Sequence, residues 1–135
     1  MQGAVHTYEL MIHERHLDTF GHMNNAQYLD LLEEARWDLI TKNGYGLKEI
    51  RERQAGPTIL EVNLRFLREI KNRERIKIES YCEPYTGKIC KFHQQMINEQ
   101  GQKACEAVFV FGLFDLVARK LIPPTPEWLR AVGLG

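Results

Sequence analysis

The residues best suited to chemistry lie between Asp18 and Tyr28, in the segment DTFGHMNNAQY. The carboxylate of Asp18 can act as a general base on water or attack an acyl carbon itself. The segment runs directly into a predicted helix. The free N–H groups and the positive dipole end of a helix start can stabilise the oxyanion that forms at an attacked carbonyl. An acid beside such a site suits hydrolysis by acyl transfer.

Each of these residues also has a purely structural explanation. Asp18 is of a type that is common in turns, where its side chain bonds nearby N–H groups. Asn24 and Asn25 are favourable caps at the start of a helix, whatever else they do. His22 can hold the loop by hydrogen bonds. Spacing alone therefore leaves open whether the acid and the helix start converge.

The element that must position this segment is a helix predicted over residues 26–43. Its apolar side chains recur at steps of three and four, which places them on one face. These are Tyr28, Leu29, Leu32, Ala35, Leu39 and Ile40. Asn24 or Asn25 can cap the start, and the pair Asn24 and Gln27 resembles a capping box. Gly44 suits the C-terminal end.

Beyond the helix, a short helical turn is predicted near residues 47–53 and is expected to end at Gly56-Pro57. The apolar period then changes from 3.6 to 2, which predicts strands. These strands are predicted at residues 60–66, 76–78, 90–96 and 104–114. A first strand, before the helix, is predicted at residues 5–12. Residues 98–102 read as a hairpin turn. Thr125 and Pro126 are typical of a helix cap and first helical position.

The order of strand, long helix and four strands favours an α+β fold with an antiparallel sheet. The last of the five strands is apolar on both parities, which indicates a central strand covered on both faces. One helix covers only one face of such a sheet. We therefore expect a second subunit to cover the other face or an edge.

Composition excludes several classes of function. Lysine plus arginine equals aspartate plus glutamate, 18 each, so no general attraction to nucleic acid is expected. No apolar run approaches the length of a membrane span. The three cysteines, an odd number without a C-x-x-C pair, are interpreted as buried free thiols of a cytoplasmic protein. His13 and His16 lack a third ligand at suitable spacing, so no metal site is expected.

The same segment resembles a known family. Asp18, Gly21, His22, Asn24, Asn25 and Tyr28 match the D-x-x-G-H-x-N-N-x-x-Y signature of acyl-CoA thioesterases of the 4-hydroxybenzoyl-CoA thioesterase-like group. The following Glu33-Glu34-Ala35-Arg36 matches the family's helix, and the resemblance covers almost the whole chain. It implies one hotdog domain over residues 1–135, with a five-stranded antiparallel sheet wrapped around one long central helix.

The resemblance also implies roles for individual residues. Asp18 would be the base or nucleophile, and the N–H of Asn25 would bind the thioester oxygen. Gly21 would allow the loop to turn tightly. Gly21, His22, Asn24 and Thr58 would contribute to substrate binding, with Thr58 lining the acyl pocket. The substrate would be an acyl-CoA, so no bound cofactor is expected. The family implies a homodimer, or a dimer of dimers, with active sites between subunits.

Two alternatives remain open in the sequence. A hotdog dimer could bind an acyl-CoA or an acyl carrier protein without turning it over, although a pure binder has no need of a carboxylate beside the helix start. A hotdog dehydratase usually pairs a catalytic histidine with an acid in a different motif.

A basic cluster is either a solvated face or a site for the phosphates of coenzyme A. It comprises Arg65, Arg68, Lys71, Arg73, Arg75 and Lys77.

Overall fold

The computed structural model describes residues 2–135, so Met1, the first residue of the predicted domain, lies outside the described residues. These described residues form three helices and six strands, with a 3-10 turn at Glu14–His16. In chain order they are β1 (His6–Met11), α1 (Asn25–Lys42), α2 (Leu47–Arg53), β2 (Ala55–Phe66), β3 (Arg75–Cys82), β4 (Ile89–Ile97), β5 (Lys103–Asp115), β6 (Lys120–Ile122) and α3 (Pro126–Ala131).

The strands form one antiparallel sheet in the order β1-β3-β4-β5-β2, with β6 paired to the end of β5. The α+β class and the hairpin between β4 and β5 are confirmed. The predicted count of five strands is wrong by one. Strand β6 has only three residues, too few to show an alternating pattern. The chain reverses into it because Asp115 Oδ1 accepts hydrogen bonds from the N–H groups of Val117 and Ala118.

Helix α1 lies across the inner face of the sheet and begins one residue earlier than predicted. Its buried face comprises Tyr28, Leu31, Leu32, Ala35, Leu39 and Ile40. The predicted capping box is wrong. Asn24 caps the helix, but its side chain accepts from the N–H of Ala26 at 2.8 Å, and its own N–H donates to the carbonyl of His16. A distant carbonyl has replaced the Gln27 side chain as the partner.

The short helix α2 does not end at Gly56-Pro57 as expected. It ends at Arg53, because Gln54 adopts the left-handed conformation with φ of 55°. Strand β2 then begins at Ala55, so Gly56 and Pro57 lie inside it. Proline is tolerated there because β2 is an edge strand with one side unpaired. The cap of α3 is confirmed, since Thr125 Oγ1 accepts from the N–H of Trp128.

Strand β5 has the predicted central position, between β4 and β2. One parity faces the core and is fully buried, as in Phe109, Phe111 and Leu113. The opposite parity, including Val108 and Val110, is half-buried. Edge strand β2 carries the largest run of exposed apolar side chains, with Ile59, Leu60, Val62 and Phe66 between 41% and 53% exposed.

The three cysteines are free and buried, as predicted. Cys82 on β3 and Cys90 on β4 place their sulfur atoms 3.0 Å apart. Burial raises the pKa of Cys105 on β5 to about 12, which keeps this thiol protonated.

Within residues 2–135, no helix is both long enough and apolar enough to cross a membrane.

Candidate active site

The loop before α1 is organised around Asp18. Its Oδ1 accepts hydrogen bonds from the N–H groups of Phe20 at 2.9 Å and His22 at 3.2 Å. Its carbonyl accepts from the N–H of Gly21, which has a φ of +83°. Glycine adopts this conformation without the steric cost that a Cβ adds. The second carboxylate oxygen, Oδ2, has no hydrogen-bond partner among residues 2–135.

This loop is fixed to the segment that follows β2. Met23 donates its N–H to the carbonyl of Ile70 at 2.9 Å, and His22 forms a backbone bridge with Lys71. The His22 ring nitrogen Nε2 lies 3.2 Å from Glu69 Oε2. His22 thus connects the acid loop to residues almost fifty positions away. It contacts both the loop backbone and a carboxylate, so it holds the shape of the site.

The N-terminus of α1 leaves one backbone donor free. The N–H of Ala26 is capped by the Asn24 side chain, and that of Gln27 by the Asn24 carbonyl. The N–H of Asn25 has no acceptor among the described residues, and Asn25 is exposed. A free N–H at the positive end of an 18-residue helix is suited to a carbonyl oxygen or an oxyanion.

The acid and the helix start meet in one open pocket of about 370 Å³. Three residues predicted for the site line it together, namely Asp18, His22 and Asn25. Gly21 and Asn24 are not among the lining residues; Gly21 is a turn residue and Asn24 caps the helix. A carboxylate, a histidine and a free N–H around one cavity form an arrangement that can hydrolyse an acyl group.

Sequence reasoning did not predict that Tyr28 of the signature and Arg68 of the basic cluster line this pocket together with Phe66. Tyr28 contributes from α1, while Phe66 and Arg68 contribute from the end of β2 and the turn after it. The rings of Tyr28 and Phe66 pack edge to face, with centroids 4.9 Å apart. Burial raises the pKa of Tyr28 to about 12, so its hydroxyl is neutral at pH 7. The sequence carried one signal for this part of the pocket. The alternation of apolar and polar residues along the strand stops after Phe66, and charged residues follow.

Thr58 lies apart from this pocket, on β2. Its neighbours Pro57 and Ile59 line a second pocket, so strand alternation directs the Thr58 side chain to the other face. The role of Thr58 in acyl binding therefore stays a prediction.

The second pocket is a mainly apolar cavity of about 110 Å³ between α1, β2 and α3. Its floor is buried, with Phe92, Phe111 and Trp128, while its rim includes the exposed Ile59. Arg36 also lines it, with its guanidinium 4.2 Å from the ring centre of Phe109. Burial lowers the pKa of Arg36 to about 10, still well above neutral pH. An aliphatic or aromatic group fits this cavity better than a charged one.

An antiparallel sheet packed on one long helix, with an acid-bearing loop at the start of that helix, defines a hotdog-fold protein. A sequence profile of the thioesterase-like superfamily matches residues 13–132. The chain belongs to this superfamily, and the resemblance seen in the sequence is confirmed at that level.

Individual relatives agree with this placement. The chain is 28% identical over 115 residues to the long-chain acyl-CoA thioesterase FadM of Escherichia coli, covering 84% of this chain and 86% of FadM. It is 27% identical over 132 residues to an L-carnitine dehydrogenase/betainyl-CoA thioesterase of Agrobacterium fabrum, covering 93% of this chain and 27% of that longer protein. A Staphylococcus aureus protein solved in complex with CoA shares the fold, with a TM-score of 0.89, 17% identity, and coverage of 98% and 84%.

Proposed function

We propose that the chain hydrolyses an acyl-CoA thioester to a free acid and coenzyme A. The observation that carries this proposal is the shared pocket of Asp18 and Asn25 at the start of α1. One carboxylate oxygen of the acid is held by the loop, while the other oxygen and the N–H at the helix start have no partner among residues 2–135. Membership of the thioesterase-like superfamily and the acyl-CoA named for two relatives support the same reaction.

In the proposed mechanism the thioester carbonyl oxygen accepts a hydrogen bond from the N–H of Asn25. This contact and the helix dipole stabilise the negative charge that develops on the oxygen during attack. Asp18 then acts in one of two ways. Its free oxygen removes a proton from a water that attacks the carbonyl carbon, or it attacks that carbon itself and forms an anhydride that water hydrolyses. Coenzyme A leaves as the thiol in both cases.

The acyl group is expected to extend from the pocket of Asp18 toward apolar surface. The relatives differ here, since one is named for long-chain acyl-CoA and the other for betainyl-CoA. The cavity lined by Phe92, Phe111 and Trp128 is mainly apolar, with Glu33 and Arg36 also in its lining, and it lies beside edge strand β2. The mainly apolar lining favours an aliphatic or aromatic acyl group.

The proposal includes a homodimer formed by edge-to-edge pairing of two sheets. Strand β2 is an edge strand of 12 residues with several exposed apolar side chains. An exposed, long and apolar edge is a template for pairing with another strand. Pairing through β2 brings each pocket of Asp18, whose wall includes Phe66 of β2, close to the subunit interface. A dimer of dimers is compatible with the same pairing.

The test is release of free thiol from a panel of acyl-CoAs, with the wild type beside Asp18→Asn. The asparagine oxygen can still accept from the N–H groups of Phe20 and His22, so the loop is retained while the charge is removed. We expect kcat to fall at least about a hundredfold, as for a group that acts in the chemical step. The matched control is Asp30→Asn, an exposed aspartate on α1, which should keep full activity.

Two outcomes would contradict the proposal. Undiminished turnover by Asp18→Asn would remove Asp18 from the mechanism. Absence of turnover on every acyl-CoA, together with measurable binding of acyl-CoA, would replace hydrolysis by a binding function.

A further inference from the structure

Ion pairs divide the basic cluster near the end of β2 into side chains that face a carboxylate and side chains that do not. Three of its six members face a carboxylate, with nitrogen-to-oxygen distances of 3.1 Å for Arg65 and Glu106, 2.6 Å for Arg73 and Glu14, and 3.9 Å for Lys77 and Glu9. The other three, Arg68, Lys71 and Arg75, have no carboxylate oxygen within 4.0 Å among residues 2–135. Their charges are therefore available to a ligand.

Arg68 has a position that no other member of the cluster shares. It lines the pocket of Asp18, and it also lines a neighbouring polar pocket of about 540 Å³. Lys71 lines only the polar pocket, and Arg75 lines neither of the two. Arg68 is exposed and donates one hydrogen bond, from Nη1 to the carbonyl of Lys103 at 3.1 Å. Its other N–H groups remain free to bind an anion.

The carboxylates around the polar pocket are already engaged. Glu69 faces the His22 ring at 3.2 Å. Glu74 accepts from the backbone N–H groups of Lys71 and Glu99. Glu99 in turn accepts from the N–H of Arg75 at 2.7 Å. These hydrogen bonds hold the three carboxylates in place but do not cancel their charges. Arg68 and Lys71 are the basic side chains of this pocket that have no ion pair among residues 2–135.

We propose that Arg68, assisted by Lys71, binds a phosphate of the thiol carrier and thereby positions the thioester against Asp18. This inference rests on the proposed function and deepens it, because it assigns one residue of this chain to the phosphate-bearing part of coenzyme A. The planar guanidinium fork matches two phosphate oxygens, and the lysine adds a point charge. Arg68 stands where the acid pocket passes into the polar pocket. A carrier whose thiol end lies at Asp18 can pass Arg68 where the two pockets meet.

The test compares one acyl group on three carriers: coenzyme A, 4′-phosphopantetheine with a single phosphate, and pantetheine with none. We expect Arg68→Ala to raise KM for acyl-CoA about tenfold or more, with kcat little changed, because the lost contact binds a part of the substrate that does not react. Its KM for acyl-pantetheine should equal that of the wild type. Arg68→Lys should recover part of the affinity. Arg65→Ala, which removes an arginine already paired with Glu106, is the matched control and should leave all three KM values unchanged.

Each result decides the proposal. A defect confined to the phosphorylated carriers supports it, and the single-phosphate substrate then locates the contact. If acyl-phosphopantetheine shows the full defect, Arg68 binds the phosphate nearest the thiol. If it shows none, Arg68 binds the nucleotide end. An unchanged KM for acyl-CoA, or an equal defect on acyl-pantetheine, would overturn it. Hydrolysis of acyl-pantetheine by the wild type needs no phosphate contact. A wild type that hydrolyses neither acyl-pantetheine nor acyl-CoA would therefore show that the proposed function fails, whatever the role of Arg68.

Discussion

At the scale of single residues, Asp18 uses its two carboxylate oxygens differently. Oδ1 closes the loop by accepting from two backbone N–H groups, as an aspartate in any turn can do. Oδ2 has no partner among residues 2–135, and Asp18 lines the pocket. The structural and the catalytic explanations of this residue are therefore compatible. The turn sets the direction in which the free oxygen points.

Gly21 offers a test of whether the turn positions the carboxylate of Asp18. At a φ of +83° a Cβ meets no atom within 4 Å, so Gly21→Ala carries a conformational cost without a clash. We expect stability to fall by roughly 1–2 kcal/mol and kcat to fall further than this loss explains, because the Asp18 turn shifts. Gly87→Ala, at a φ of +64° with equally open space in the β3–β4 connection, is the control. Equal kcat in both variants would show that the turn does not position Asp18.

At the scale of elements, the helix and the strands could be predicted because each has its own apolar period. The partners of the acid loop could not. The bond between Met23 and Ile70, and the position of Phe66 opposite Tyr28, depend on how distant segments pair. The same reason explains the wrong capping box, since Asn24 bonds the carbonyl of His16 instead of a local side chain. Periodicity carries no information about such contacts.

The cap of α1 provides the prediction at this scale. Asn24→Ala removes the side-chain acceptor for the N–H of Ala26 and should cost about 1 kcal/mol, which corresponds to a fall in Tm of roughly 3–5 °C. Asn24→Asp retains the acceptor and adds a charge favourable to the helix dipole, so it should restore the wild-type Tm. Thermal unfolding followed by circular dichroism measures both variants. A Tm for Asn24→Ala equal to the wild type would show that the cap does not stabilise α1.

At the scale of the whole molecule, the distribution of apolar surface is uneven. The inner face of the sheet is filled by α1, while the edge at β2 exposes Ile59, Leu60, Val62 and Phe66. Strand β5 is apolar on both parities, and this pattern suggested that a second subunit covers the other face of the sheet or one of its edges. The structure locates the larger exposed apolar run at the β2 edge. The sequence could not separate these options, because pairing order determines which strand lies at the edge.

Val62 tests the dimer. Val62→Lys places a charge on the proposed pairing edge, where lysine discourages strand addition. We expect the variant to be monomeric by size-exclusion chromatography with light scattering, and less active because the pocket of Asp18 lies near the interface. Val117→Lys, an equally large change at a side chain that is 75% exposed between β5 and β6, should stay dimeric. A wild type that is monomeric at micromolar concentration would contradict pairing through β2.

The burial of all three cysteines has a consequence for how the protein responds to thiol reagents. Cys82, Cys90 and Cys105 are at most 3% exposed, so the folded chain offers almost no sulfur to a disulfide dye. An unfolded chain offers three. A colour change measured with native protein therefore counts released coenzyme A, and the same dye without substrate counts molecules that have lost their fold. One reagent thus reports both turnover and the survival of the enzyme during it.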